Sequence, residues 1–309
     1  DDCCPACTGT DVCCGGANCC DVTYQMCDLD TCVDVPDPCF NTEFTGFALN
    51  SNPESYPLPQ FLEVDPDSPN SLCFLRMTTD TAEPAGTSAF IPVTLLTSEL
   101  DFSMSSGYRI FGTNDGSADG IAFVMHQDSR GVNAVGGGGA YMGVYEHADA
   151  GIEAIKPAIV VEFDTYENTY VDDNGENNIH IRYIDSDGIV TELIESSSIN
   201  IRTDDSGTPA GRIWVEYCND IIRVSLNSAG DEKPPDPQLV YKFDLTSLFN
   251  GRDVFVGLTA STWDEGDYHD IMSWTFSPWT FCTDQCFPPC TGTDKCCKDS
   301  CVAADDCCP

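Results

Sequence analysis

The placement of the cysteines constrains this chain most, because it separates two short, heavily cross-linkable ends from a long middle segment. Ten of the 20 cysteines lie in residues 1–39, eight lie in residues 282–309, and only Cys73 and Cys218 lie between them. Neither end is long enough to bury a useful apolar core, so cross-links must replace burial there. We therefore expect small disulfide-rich modules at 1–39 and 282–309, and a separate domain at 40–281.

Zinc is the alternative to disulfides at the ends. The four histidines all lie in the middle segment: His126, His147, His180 and His269. A terminal zinc site would therefore use thiolates alone, and so many thiols oxidise readily outside the cytosol. Disulfides and an extracellular location, secreted or at the cell surface, are the simpler interpretation. The opening Asp1-Asp2 fits either the end left by signal-peptide removal or a fragment of a longer chain.

The two ends contain an internal repeat. Cys7–Cys14 and Cys290–Cys297 share the pattern Cys-Thr-Gly-Thr-Asp-x-Cys-Cys. Such a repeat indicates one small module present at both ends. It has two interpretations: a staple without chemistry of its own, or a linker for head-to-tail assembly or anchoring.

The charge of the chain excludes several partners. There are 51 acidic and 13 basic residues, which gives a formal net charge of −38. Nucleic acids and anionic membrane surfaces would be repelled by this charge. No apolar run approaches the roughly 18 to 20 residues that a membrane-spanning helix needs, so we expect no membrane insertion. The composition suits a soluble or cation-binding protein.

The middle segment has the pattern of an all-β domain, since short apolar and β-branched runs alternate with Gly, Pro, Asn and Asp. Asn219-Asp220 predicts a tight hairpin turn between strands at 213–218 and 221–226. Further strands are predicted at 72–78, 89–95, 120–126, 158–164, 179–184 and 254–261. This many short strands favour a β-sandwich or jelly roll.

Acidic residues follow one of these strands closely. Glu162 and Asp164 should project from one face of the strand, where two carboxylates repel each other unless a cation lies between them. Further donors follow at Asp172, Asp173 and His180. Calcium prefers oxygen donors, whereas a set that includes an imidazole also suits manganese or zinc. The alternative is a solvated acidic loop in an acidic protein.

Four sequence blocks occur in an order that resembles the L-type (legume) lectin family. They are Ala118–Val124, Gly136–Gly139, Val161–Asn168 with His180, and Val256–Thr262 with Ser273–Phe276. The resemblance covers roughly residues 42–281 and neither Cys-rich end. It implies a concanavalin-like sandwich of two antiparallel sheets, with a sugar site on loops above the concave face.

The resemblance also implies two adjacent metal ions. Glu162, Asp164 and His180 would hold manganese or another transition metal, and Asp164 would bridge to calcium. The remaining calcium ligands would be the Tyr166 carbonyl, Asn168 and either Asp173 or Asp172. The interval from Asn168 to His180 is a few residues longer than in typical legume members.

A sugar needs a carboxylate acceptor, an amide donor, a backbone N–H and an aromatic face. The resemblance assigns these contacts to Asp119, Gly138, Gly139, Tyr166, Asn168, Trp263 and Asp264. It also implies a cis peptide bond between Ala118 and Asp119. The implied function is a secreted, calcium-dependent, multivalent carbohydrate-binding protein that recognises glycans or glycoproteins, and not an enzyme.

Two alternatives stay open. The first is a structural subunit of an extracellular filament, coat or adhesin, in which the sandwich is a scaffold and the Cys-rich ends make the assembly. The second is a laminarinase-type glycoside hydrolase, because Glu162, Asp164 and Glu167 fit its Glu-x-Asp-x-x-Glu pattern. In the family, sheets often associate, so a homo-oligomer or polymer is expected with either non-enzymatic function.

Two disulfide pairings are candidates. Cys73 could pair with Cys218 within the middle domain. Cys39 and Cys282 bracket that domain at a point where the family's first and last strands are neighbours, so they form the second candidate pair.

Overall fold

The computed structural model describes most of the middle segment and six short strands in the Cys-rich ends. The described residues of the middle segment are 44, 46–53, 59–63, 73–81, 84–93, 101–112, 118–168, 177–203, 210–249 and 253–277. Among the candidate metal ligands and disulfide partners named above, Asp172, Asp173, Cys39 and Cys282 lie outside the described residues.

Strands make up nearly all of the regular structure. In chain order they are β1 (Val12–Cys14), β2 (Asn18–Cys20), β3 (Gln25–Asp28), β4 (Thr31–Asp34), β5 (Ala48–Ser51), β6 (Gln60–Glu63), β7 (Cys73–Thr78), β8 (Ala85–Val93), β9 (Phe102–Phe111), β10 (Gly120–His126), β11 (Ala158–Asp164), β12 (Asn178–Ile184), β13 (Val190–Glu195), β14 (Gly211–Cys218), β15 (Ile221–Asn227), β16 (Leu239–Lys242), β17 (Val254–Thr262), β18 (Tyr268–Ser277), β19 (Lys295–Cys297) and β20 (Ser300–Val302).

Helical structure is limited to single turns and one short helix. Three 3-10 turns span Gly131–Asn133, Gly139–Tyr141 and Ala148–Ala150, and α1 spans Leu245–Phe249. No helix in the described part of the chain has the length and apolar character needed to cross a lipid bilayer.

The chain forms two compact units, one of residues 1–45 and 61–73 and the other of residues 46–60 and 74–309. In the smaller unit β1 pairs with β2 and β3 pairs with β4, both antiparallel. The larger unit contains two antiparallel sheets. One has the order β13-β12-β11-β10-β17-β8-β5, and the other contains β16-β15-β14-β9-β18-β7. The all-β prediction is confirmed.

The two sheets pack face to face through aromatic side chains. Phe123 of β10 in the first sheet lies 5.8 Å, between ring centroids, from Phe102 of β9 in the second. Its ring also stacks on Trp274 of β18. These contacts form the core of a β-sandwich, because each strand turns alternate side chains toward the facing sheet.

A second core covers the other face of the first sheet. Segment 127–157 folds back over β10 and β11, and its Met142, Val144 and Ile155 pack against Val124 and Val160. Every residue of β10 and β11 is consequently buried. This explains why both strands are continuous apolar runs rather than alternating ones, as expected for strands covered on both faces.

The predicted hairpin turn is confirmed. β14 and β15 pair in register up to Cys218 and Ile221, which leaves Asn219-Asp220 as a two-residue loop. Both loop residues have positive φ, 52° and 60°. Asn and Asp tolerate this left-handed conformation better than most residues, and it matches the twist of the paired strands.

The candidate bridge between Cys73 and Cys218 is wrong. Cys73 begins β7 and Cys218 ends β14, and β18 and β9 lie between these strands. Three strand spacings amount to roughly 14 Å, whereas the Cα atoms of a disulfide lie at most about 7 Å apart. Both cysteines are nevertheless disulfide-bonded, so each has another partner.

Two buried histidines should make the sandwich sensitive to acid. His126 and His269 are fully buried, and burial lowers the pKa of each imidazole to about 3. The unfolded chain binds protons at these histidines below about pH 6.5, so the free energy of unfolding should fall as the pH drops below that value. Each histidine should account for about 2 kcal/mol at pH 5.

Urea unfolding at a series of pH values measures this effect. The many carboxylates also titrate in this range, so the informative comparison is with the His126→Gln and His269→Gln variants. Each variant should show a shallower loss of stability between pH 7 and 5 than the parent protein. Equal slopes for the parent and both variants would contradict the assignment.

Candidate functional site

The glycine run is fixed by close backbone packing. A Cβ on Gly136 would lie 2.4 Å from the backbone of Val144, and one on Gly138 would lie 2.7 Å from the carbonyl oxygen of Ala85. Gly136 also donates its N–H to the carbonyl of Gly143 at 2.7 Å. Only glycine permits this approach, so the run packs between β8 on one side and Gly143 and Val144 on the other.

Gly139 connects this run to the loop after β17. Its φ is 62°, and a Cβ there would lie 3.1 Å from Cε3 of Trp263. Ser261 donates its hydroxyl to the Gly139 carbonyl at 2.7 Å. Next to Trp263, Asp264 and Glu265 are exposed. The glycine run and the 263–265 loop therefore border one surface.

Asp119 lies beside Asn168 at the same end of the first sheet. The Ala118–Asp119 peptide is cis. The backbone of Asp119 is held on both sides, since its N–H donates to Ser261 and its carbonyl accepts from Thr165, each at 2.9 Å. Asn168 donates its side-chain amide to Asp119 Oδ1 at 3.0 Å. The structure thus joins two residues separated by 49 positions in sequence.

The surroundings of Asp119 stabilise the negative charge of its carboxylate only in part. It is 2% exposed, and its Oδ2 has no hydrogen-bond partner among the described residues. Burial raises its pKa to about 6, the hydrogen bond from Asn168 partly opposes this, and the charge of Glu265 adds to it. A buried acceptor of this kind suits a hydroxyl donor or a nearby cation.

β11 and β12 create a row of candidate metal ligands. Glu162 lies directly opposite His180, and Asp164 lies opposite Asn178. Glu162, Asp164 and His180 are all buried, at 0%, 5% and 0% exposure. Since side chains two residues apart share a face of a strand, these three lie on one face of the sheet.

The calcium ligands named from the sequence lie just beyond β11. Asp164 Oδ1 accepts the Tyr166 N–H at 2.8 Å, and the Tyr166 carbonyl accepts from the Asn168 amide at 3.4 Å. This turn gathers a carboxylate, a backbone carbonyl and an amide oxygen, which is the oxygen donor set that calcium prefers. The Tyr166 side chain is half-buried.

Three residues in or beside this row were not predicted from the sequence: Arg182, Glu192 and Glu195. Arg182 donates through Nη1 to Glu162 Oε2 at 2.9 Å and through Nε to Glu192 Oε2 at 3.0 Å. Nδ1 of His180 lies 3.2 Å from the same Glu192 oxygen. Together with Glu195, His180 and Glu192 bring ligand atoms within 4.8 Å of one another.

The side chains around His180 are compatible with its use as a transition-metal ligand. A histidine that binds a metal through one ring nitrogen usually directs the other to a carboxylate or carbonyl. Glu192 Oε2 can accept from Nδ1 of His180 at 3.2 Å, and in that tautomer Nε2 carries the lone pair that a metal needs. Arg182 Nη2, which can only donate, lies 3.3 Å from the same Nδ1 and favours the other tautomer. Residue spacing could have identified Arg182 from the sequence. It follows His180 by two residues in the same strand, so both side chains lie on the same face of the sheet.

The two glutamates of the hydrolase pattern have different surroundings. Glu162 is fully buried and paired with Arg182, whereas Glu167 is exposed in the turn after β11.

Comparison with known proteins assigns most of the chain to a family. The model of the legume lectin domain matches residues 44–281. The Arabidopsis thaliana protein "Probable L-type lectin-domain containing receptor kinase I.5" is 31% identical over 147 residues, which cover 44% of this chain and 21% of that protein. "L-type lectin-domain containing receptor kinase S.1" from the same plant is 24% identical, with coverages of 71% and 30%. The chain thus spans less than a third of the length of either relative.

Solved structures share the fold. The exoplasmic/lumenal domain of VIP36 in its Ca²⁺/Man2-bound form aligns with a TM-score of 0.51 at 18% identity, over 77% of this chain and 86% of that one. Winged bean acidic lectin complexed with methyl-α-D-galactose aligns with a TM-score of 0.50 at 18% identity, over 74% and 97%. Because the family match spans most of the sequence, this chain belongs to the legume lectin domain family.

Proposed function

We propose that the sandwich is a calcium-dependent carbohydrate-binding domain and that its ligands are glycans or glycoproteins. The observation that carries this proposal is the buried Asp119 carboxylate, which accepts from Asn168 and keeps one oxygen without a partner among the described residues. It lies at the end of the sheet where the glycine run and Trp263 meet.

Each side chain at this site has a role in binding a sugar. Asp119 accepts a hydroxyl hydrogen through Oδ2, and Asn168 donates from its amide. The backbone of Gly138 and Gly139 faces the sugar, because the missing Cβ atoms let the run pack against Ala85 and Trp263. The aromatic rings of Tyr166 and Trp263 pack on the C–H face of the sugar, and the exposed Asp264 contributes to selectivity.

Metal ions complete the proposed site. Calcium would be held by Asp164, the Tyr166 carbonyl, Asn168 and either Asp172 or Asp173, and manganese or another transition metal would be held by Glu162, Asp164 and His180. When bound, the ions offset the repulsion among buried carboxylates and fix the loop that carries Asn168. The VIP36 domain was solved in a Ca²⁺/Man2-bound form, which supports the proposal of a metal ion in this fold.

The structural relatives bind more than one class of sugar. The VIP36 domain was solved with Man2, and winged bean acidic lectin was solved with methyl-α-D-galactose. We propose an extracellular or luminal setting, which the "exoplasmic/lumenal" VIP36 domain and the 20 cysteines support. No catalytic activity is proposed.

The Cys-rich repeat favours a second candidate function, assembly of an extracellular filament, coat or adhesin. We propose that the repeated modules link copies of the chain into a homo-oligomer or polymer, which would make weak sugar sites multivalent. Gels run with and without reductant test this. A ladder seen only without reductant is expected, and a monomer under both conditions would contradict covalent assembly.

Glycan-array binding tests the sugar site directly. The calcium-loaded protein should bind a defined set of glycans, and both EDTA and the Asp119→Asn substitution should abolish binding. Asp149→Asn is the matched control, because Asp149 is an exposed carboxylate outside the site. Folded, calcium-loaded protein that binds nothing, or an Asp119→Asn variant that binds like the control, would overturn the proposal.

A second comparison tests the glycine run. Gly139 and Gly151 both have positive φ, 62° and 70°, but only a Cβ on Gly139 would meet another side chain, Trp263. Alanine at either position strains the backbone by about 1 kcal/mol, and Gly139→Ala should lose somewhat more stability because its Cβ also crowds Trp263. Only Gly139→Ala should lower sugar affinity, by about tenfold or more.

Calorimetric titration with sugar and separately with calcium provides the measurement. Gly139→Ala should keep its calcium affinity while it loses sugar affinity. If it binds sugar as well as Gly151→Ala does, Gly139 does not belong to the binding surface.

A further inference from the structure

A cavity lies between segment 140–154 and strands β12 and β13. Its volume is about 450 Å³, within the range of roughly 300–1,000 Å³ that is usual for small-molecule sites. Tyr141 and Tyr145 line it from the segment, and Arg182, Val190 and Glu192 line it from the strands. None of the residues that we assigned to the sugar site is among its lining residues.

The walls of the cavity have the chemistry of a carbohydrate subsite. Two tyrosine rings offer apolar faces, and the carboxylates of Glu146 and Glu192 offer hydroxyl acceptors. The buried Tyr145 hydroxyl has no hydrogen-bond partner among the described residues, so this wall contains one unsatisfied polar group.

The charges of the cavity select against anionic ligands. Arg182 is the single cation among the described residues that line the cavity, and it is already paired with Glu162 and Glu192. Glu146 is exposed and takes no part in that pairing, so its charge adds to the net negative character of the cavity. A neutral sugar fits these walls better than a sialic or uronic acid.

A row of rings connects this cavity to the proposed sugar site. Tyr141 stacks on His147 with 4.6 Å between ring centroids, and His147 meets the edge of Trp263 at 5.7 Å. The rings of Tyr141 and Trp263 are therefore no more than about 10 Å apart. A short oligosaccharide can extend over that distance, whereas a monosaccharide cannot occupy both places.

We propose that the cavity lined by Tyr141, Tyr145 and Glu192 is a second saccharide subsite, which binds a neutral residue of the glycan whose terminal residue is held at Asp119. This inference rests on the proposed function. It means that the domain recognises an oligosaccharide rather than a single sugar, and that its affinity rises when a second residue reaches the cavity.

Two adjacent residues allow a matched test. Val190 lines the cavity and is 44% exposed, whereas the preceding Ile189 is 61% exposed and does not line it. Val190→Trp should fill the cavity, and Ile189→Trp adds a similar side chain outside it. Both positions are solvent-exposed enough to accept the larger ring without disturbing the core.

Calorimetry would measure the binding of mannose, galactose, mannobiose, Man3GlcNAc and the strongest array glycan to the parent protein and both variants. The parent should bind its best oligosaccharide at least about tenfold more tightly than the component monosaccharide. Val190→Trp should remove this gain and leave monosaccharide affinity unchanged, and Ile189→Trp should behave like the parent.

The outcomes separate the two proposals. Oligosaccharide affinity that is equal in the parent and both variants overturns the second subsite, while binding that still depends on Asp119 leaves the proposed function intact. Stronger binding of a sialylated glycan than of its neutral form also overturns the inference. If the parent protein binds no probe, both proposals fail.

Discussion

Burial of β10 and β11 on both faces is the constraint on which the site depends. One face packs on the second sheet, and the other lies under segment 127–157. Because that segment must close over the sheet, it brings Gly136–Gly139 against β8 and against the loop that carries Trp263. The same closure places the backbone of the run next to the end of β10, where Asp119 lies. The packing of this second apolar core therefore brings together the residues of the proposed sugar site.

The site also concentrates negative charge in a poorly solvated place. Asp119, Glu162 and Asp164 are all nearly or fully buried at the same sheet. Buried carboxylates are costly unless they are paired, hydrogen-bonded or close to a cation. Arg182 compensates Glu162, and the Asn168 amide partly compensates Asp119. This arrangement is one reason to propose that calcium contributes to the folding of the loop as well as to binding.

The sequence predicted most of the fold because local patterns carried the information. The apolar runs of β10 and β11 and the Asn219-Asp220 turn were all correct to the residue. The long central strand β9 was not predicted, because its serines and glycine interrupt the apolar pattern, although its alternate residues are buried. The pairing of Cys73 with Cys218 was wrong because the order of strands in a sheet differs from their order in the chain.

The candidate site was only partly accessible to sequence reasoning. Spacing on one strand was enough to put Glu162 and Asp164 on one face. The contacts of Arg182 with Glu192 depend on how β13 pairs with β12, and that register shifts at a bulge beside Arg182. No local pattern in the sequence encodes such a shift. Family resemblance supplied the proposed roles of Asp119 and Asn168, and the structure supplied their hydrogen bond.

A crystal structure of the calcium-loaded protein with its strongest array glycan would test the central claim most directly. The account predicts a sugar hydroxyl within hydrogen-bond distance of Asp119 Oδ2, with the same sugar in contact with Asn168 and Trp263. A glycan bound elsewhere on the sandwich, with Asp119 Oδ2 still without a partner, would contradict it.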